Sequence, residues 1–231
     1  MTTLFRDVEV DGRRCDVRVD GDRVHTVHAV GEIPSPQRCD VIDGDGGALL
    51  PGLHDHHVHL LAMAAADRSV QLAGLLDDAA VADALRIADQ SLPRGAWLRA
   101  VGWHGPDLER ATLDAAVPDR PVRVQHRSGA LWVLNSRALE AIGVDEPTGR
   151  LFRMDDVLRA RIPADEPPDV AAVGRRLFSY GVSGVTDATP TERADDIDLL
   201  ARAGLDVLAM SAPTLAFDGN GPAKILLADH A

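Results

Sequence analysis

The chain has 231 residues, 45% of them apolar, and carries a formal charge of −12. That length is ample for a hydrophobic core, and the acidic balance argues against nucleic acid and anionic membranes as partners. Two cysteines, Cys15 and Cys39, are too few for a disulfide scaffold, and no apolar stretch approaches the length of a membrane span.

The N-terminus, Met-Thr-Thr-Leu-Phe-Arg-Asp, lacks a basic region followed by an apolar run. No signal peptide is predicted, and a cytoplasmic protein is expected. Residues 3–48 read as short strands: Leu4 to Val10, Cys15 to Val19, Val24 to Val27, and Val41-Ile42. Turns at Asp11-Gly12, Asp20-Gly21-Asp22 and Asp43-Gly44 punctuate them. Asp-Gly turns between alternating strands predict a small antiparallel β domain over residues 1–50.

Residues 48–61 are chemically the densest stretch. Four of the nine histidines lie between His54 and His59, just after Pro51-Gly52. Residues two apart on a strand share a face. His57 and His59 therefore present both imidazoles on one side, with Asp55 in the same parity and Val58 opposite. Two neutral imidazoles on a rigid strand are a candidate chelate for a divalent metal. His54 and His56 have the opposite parity and are not counted as ligands.

Further along, the texture becomes α/β. Helices are predicted over 77–90, 108–116, 135–142 (Asn135 as N-cap), 154–160, 169–180 and 194–203. Strands are predicted over 96–103, 121–126, 182–187, 205–210 and 223–227, with a turn or short strand at 149–152. This alternation predicts a parallel α/β architecture over residues 51–231. Trp103 and His126 end two of the strands and are candidate substrate contacts. Asp187 ends a third, where a functional carboxylate and a capping role are equally open. Trp132 is expected in the core, and His25 and His28 are expected to be ordinary core or surface histidines rather than functional ones.

Composition adds one sharper fact. The chain has 23 arginines and a single lysine, Lys224. Arginine cannot replace lysine where a primary amine is needed for chemistry, which makes Lys224 a candidate for a chemical role.

The run Pro51-Gly52-Leu53-His54-Asp55-His56-His57-Val58-His59 resembles the Pro-Gly-x-x-Asp-x-His-x-His signature that ends the first barrel strand in the amidohydrolase superfamily. Further segments are similar to its amidohydrolase-3 branch. They are Trp97 to Trp103, the Leu113-Asp114 to Val122 run, Ser128-Gly129 with Asn135-Ser136-Arg137-Ala138-Leu139, and Gly181 to Asp187. Two positions depart from that pattern. Ala130 stands where the branch often has histidine, and Asp229 follows Lys224 by five residues rather than four.

The resemblance implies a metal-dependent (β/α)8 hydrolase barrel preceded by a β-sandwich-type accessory domain. It implies His57 and His59 as first-strand ligands and Lys224 as a strand lysine that CO2 carboxylates to bridge two ions. It also implies one or two divalent metals, Zn2+ foremost, and hydrolysis of a non-peptide C–N bond in a small amide-type substrate. Two further histidine ligands and a proton-shuttling aspartate are expected beyond Ala231. A full barrel needs about 250 residues, so the chain is expected to hold only the first half, with a homo-oligomer or a missing C-terminal half covering its open edges. A second reading is a non-catalytic fragment that binds a metal or a partner.

Overall fold

The computed structural model describes residues 1–32, 39–105, 107–163, 167–189 and 194–210. The predicted strand 223–227, and Lys224 with it, lie outside the described residues. The chain divides into two compact units, one ending at Leu53 and one beginning at His54.

The first unit is a four-stranded sheet in the order β3-β2-β1-β4, formed by β1 (Thr2–Val10), β2 (Arg13–Asp20), β3 (Arg23–Ala29) and β4 (Asp40–Asp43). Alternation buries Leu4, Val8, Cys15 and Val17, as period-two patterning requires. The sheet is not wholly antiparallel, because β4 runs parallel to β1. β3 and β4 lie at opposite edges of the sheet, so β4 does not pair with the strand before it as in a hairpin and is free to run parallel to β1. His25 and His28 are exposed.

The second unit is mixed α/β and holds two sheets. One has three strands in the order β12-β11-β5, namely β5 (Leu53–Val58), β11 (Val182–Asp187) and β12 (Asp206–Ala209), with β11 and β12 parallel. Helices α1 (Leu60–Asp67), α6 (Val170–Ser179) and α7 (Ala194–Leu200) accompany it, and a 3-10 turn at Ala201–Ala203 follows α7. Val58, Leu60, Ala64, Val173, Leu177 and Val185 form part of its core. The amphipathic stripe of α6 supplies two of these, and Val170 besides, as a helix with one buried face should. Gly174 lets α6 approach closely: a Cβ there would overlap the Ala203 carbonyl.

The other sheet has five strands in the order β10-β9-β8-β7-β6. These are β6 (Val70–Gln71), β7 (Leu98–Trp103), β8 (Val122–His126), β9 (Leu131–Leu134) and β10 (Arg150–Phe152), accompanied by α2 (Asp78–Ser91), α3 (Arg110–Ala116), α4 (Ser136–Ile142) and α5 (Asp155–Arg161). Only its β6-β7-β8 part is parallel; β8-β9 and β9-β10 are antiparallel. The reason at β8-β9 is the short connection over 127–130, which reverses the chain and leaves no room for a crossover. The strands 96–103 and 121–126 therefore belong to a sheet of their own, separate from the one that holds the histidine-rich strand.

Local chemistry fixes the elements of this insert. Asp77 caps α2 by accepting from the Ala80 amide at 2.8 Å. Arg120, 8% exposed, donates to the Pro93 and Ala96 carbonyls at 2.9 Å and to the Asp89 carboxylate, closing the C-terminal end of α2. Asn135, fully buried, accepts from the amides of Val122 and Ala138 and donates to the carbonyls of Val117 and Arg120. Trp132 is buried, with the guanidinium carbons of Arg99 and Arg123 at 5.6 and 5.4 Å from its ring. No helix among the described residues is long and apolar enough to cross a membrane.

Candidate functional site

The histidine-rich strand β5 is the chemical centre of the second unit. Its side chains alternate as the period of two demands. The rings of His57 and His59 lie 5.4 Å apart, edge to face, and those of His54 and His56 lie 4.6 Å apart. His54 is committed elsewhere: its Nε2 lies 2.9 Å from the Thr186 hydroxyl on β11. Asp55 sits in the parity of His57, but its carboxylate accepts from the His57 backbone amide at 3.0 Å. It shapes the strand end rather than touching a ring.

His59 is the N-cap residue of α1 and is held in place from a distance. Its Nδ1 lies 3.0 Å from the Thr189 hydroxyl. That hydroxyl donates to Asp187 Oδ1 at 2.6 Å, and the Thr189 amide donates to the same oxygen at 2.9 Å. The other oxygen, Oδ2, accepts from the Leu60 amide at 2.7 Å. Asp187 is fully buried. Of the two roles left open for it, capping is the one seen, since it satisfies an orphan amide in the first turn of α1. The strand-end backbones are joined as well, through Ala188 N–H to the Val58 carbonyl and Met210 N–H to the Asp187 carbonyl, both at 2.8 Å.

Sequence reasoning did not single out Thr189. The available signal was local: an Asp-x-Thr step just after an apolar strand favours a side-chain-to-backbone turn. Nothing local indicates that the hydroxyl continues to a histidine 130 residues away.

Two same-face imidazoles, one of them anchored through Nδ1, suit a divalent cation in donor type. Among the described residues no group of three or more His, Cys, Asp or Glu gathers to enclose an ion. The described donor set is therefore the His57–His59 pair, and Lys224 lies outside the described residues.

Trp103 and His126 come together at the ends of β7 and β8. Register slips by one residue at Gly102, which has φ +83°, so Trp103 pairs with His126. An extra left-handed glycine in a strand is a bulge that re-aims the next side chain. The two rings meet edge to face at 5.3 Å, and the Ser128 hydroxyl lies 2.8 Å from His126 Nδ1. Burial, then the charges of Arg127, His104 and Arg150, hold the His126 pKa below its ordinary value of 6.5. Trp103 is 1% exposed, so any access to this pair is through the histidine.

A cleft of about 860 Å3, lined by Arg99, Arg123, Trp132 and Arg159 among others, contains none of these histidines. It lies toward the opposite ends of β7 and β8. Size alone does not mark a reaction site, and the clustered imidazoles carry more chemical weight.

The sequence profile of the amidohydrolase family matches residues 40–205. YtcJ of Bacillus subtilis (strain 168), named as an amidohydrolase, is 28% identical over 153 residues, covering 56% of this chain and 29% of that protein. The N-substituted formamide deformylase of Arthrobacter pascens is 28% identical over 144 residues, covering 57% of this chain and 26% of that one. An uncharacterized metal-dependent hydrolase from Pyrococcus furiosus superposes with a TM-score of 0.68 at 18% identity, over 91% of this chain and 50% of that one. The chain thus spans half of that structure, and its matches cover under a third of the two sequence relatives.

Proposed function

The chain belongs to the amidohydrolase family, and on that premise we propose that it is part of a metal-dependent hydrolase acting on a non-peptide C–N bond. The observation that carries the reading is the His57–His59 pair at the end of β5, its rings 5.4 Å apart, with His59 anchored through Nδ1 by Thr189. The name of the Arthrobacter relative favours an amide-type substrate, with a small N-substituted formamide as the first to try.

In this reading the three-stranded sheet β12-β11-β5 is the beginning of a (β/α)8 barrel. The first unit is part of a β-sandwich accessory domain. The remaining ligands and the aspartate proton shuttle are supplied by further chain or by a second copy. His57 and His59 would hold the ion, Zn2+ foremost, with Lys224 as a carboxylated third ligand. The chemistry such an ion supplies when bound is a more acidic water and a polarised carbonyl. The chain's own residues hold and aim the site. Asp187 pins the first turn of α1 beside His59, and in this reading Trp103 and His126 would contact substrate, chiefly through the histidine. The protein works in the cytoplasm on a small molecule, without nucleic acid or membrane.

The test is turnover of an amide and formamide panel by the full-length protein. Expected is hydrolysis that a chelator abolishes and added Zn2+ restores. A protein that binds no divalent metal, or turns over equally well with chelator present, refutes the reading. Zn2+ binding without turnover of any substrate fits the non-catalytic alternative instead.

A further inference from the structure

We propose that Thr189 and Asp187 are positioning residues that set which nitrogen of His59 carries the proton, and so which nitrogen is left to bind a metal. The metal half of this inference rests on the reading of His59 given above.

The argument is one of donors and acceptors. Both Asp187 oxygens accept from backbone amides, Oδ2 from Leu60 at 2.7 Å and Oδ1 from Thr189 at 2.9 Å. An amide can only donate, so both oxygens are acceptors. Thr189 Oγ1 lies 2.6 Å from Oδ1. A hydroxyl has one proton, and here it is committed to the carboxylate. Toward His59 Nδ1, at 3.0 Å, the Thr189 oxygen presents only lone pairs. Nδ1 must therefore be the donor and carry the proton. In a neutral imidazole that leaves the lone pair on Nε2. Nε2 is the coordinating nitrogen, and the ring can turn only by breaking the relay.

Asp187 holds two neighbours at once. Through Thr189 it fixes the His59 ring, and through Oδ2 it fixes the amide of the next residue, Leu60. One fully buried carboxylate thus references both the side chain and the backbone of His59 to the neighbouring strand. Outer-shell partners of this type orient ligands and raise metal affinity.

The experiment compares wild type, Thr189→Val and Thr189→Ser in the full chain. Valine keeps the shape and removes the hydroxyl; serine keeps the hydroxyl. In metal-free, 15N-labelled protein, long-range proton–nitrogen spectra report which His59 nitrogen is protonated. Expected is the Nδ1–H form in wild type and Thr189→Ser, and a mixture of tautomers in Thr189→Val. Zn2+ affinity is expected to fall about 10- to 100-fold in Thr189→Val and to return in Thr189→Ser, with a single cooperative unfolding transition in each apo form showing that the fold is intact. A wild-type His59 protonated on Nε2, or a Thr189→Val chain with unaltered tautomer and Zn2+ affinity, overturns the inference. A wild type that holds the Nδ1–H tautomer yet takes up no metal refutes the metal reading while supporting the relay.

Discussion

His59 Nδ1 lies 3.0 Å from the hydroxyl of Thr189, whereas His57 is exposed and its backbone amide donates to Asp55. The two imidazoles of the pair are therefore unequal: one is held by a buried relay, and the other is exposed. A chelate needs both. His57→Ala and His59→Ala are each expected to weaken Zn2+ binding on the order of 100-fold or more, beyond what losing an outer-shell partner costs. His56→Ala, in the opposite parity, is expected to bind as wild type does. Metal content after dialysis against a competing chelator decides it, and an equal loss in all three variants would sink the assignment.

Asn135 makes four hydrogen bonds from a fully buried side chain of the insert. Replacing it with alanine strands two amides and two carbonyls in a fully buried setting. Each unpaired buried group costs about 1–3 kcal/mol. Asn135→Ala should lose at least about 3 kcal/mol of stability, seen as a lower denaturant midpoint at unchanged slope. A loss within experimental error would show that water replaces the side chain.

Gly174 sets two effects against each other. Alanine is the better helix former by about 1 kcal/mol, and on an exposed face Gly174→Ala would stabilise α6. Here the added Cβ meets the Ala203 carbonyl, a backbone atom with little room to yield. Overpacking of this kind costs about 1–3 kcal/mol, so net destabilisation is expected, read out as a lower Tm. A raised Tm would mean that the 3-10 turn moves away at little cost.

His126 gives a pH dependence of defined sign. Burial foremost, with Arg127, His104 and Arg150 behind it, keeps its folded-state pKa below 6.5. The unfolded chain therefore takes up the proton first as pH falls. Stability should drop as pH descends through about 6.5 and stop dropping on this account below the folded pKa. His126→Gln should flatten the slope of denaturant midpoint against pH in that window. An unchanged slope would place its origin in other groups.

Much of the fold is legible in the chain itself wherever the signal is local. Asn135 announces α4 because a capping side chain acts on an amide three residues on, and α2 is announced by its apolar period. His57 and His59 are legible as a pair because strand geometry alone puts them together. Helix α1 is not legible: Leu60–Asp67 is apolar almost throughout, so it has no polar face to give a period. The short buried strand β9 escapes for the same reason. The membership of the two sheets is not legible either, since the antiparallel turn after β8 is a choice between continuing an alternation and reversing it. Thr189 is missed because its partner lies at long range, and only tertiary structure makes a threonine after a strand into an anchor for a histidine.

The neighbouring strands β5 and β11 are separated in sequence by the whole five-stranded insert, which has a hydrophobic core of its own built on Leu85, Leu98, Leu113 and Val122. Joining the ends of so long an unstructured loop would be slow, since chain closure grows costlier with length and non-local pairing retards folding. An insert that has already collapsed shortens the effective loop. The order of events follows: the insert condenses first, the two strand ends meet afterwards, and the His59–Thr189 contact forms late. Substitutions in the insert core should slow folding, whereas Thr189→Val should act almost wholly on the rate of unfolding.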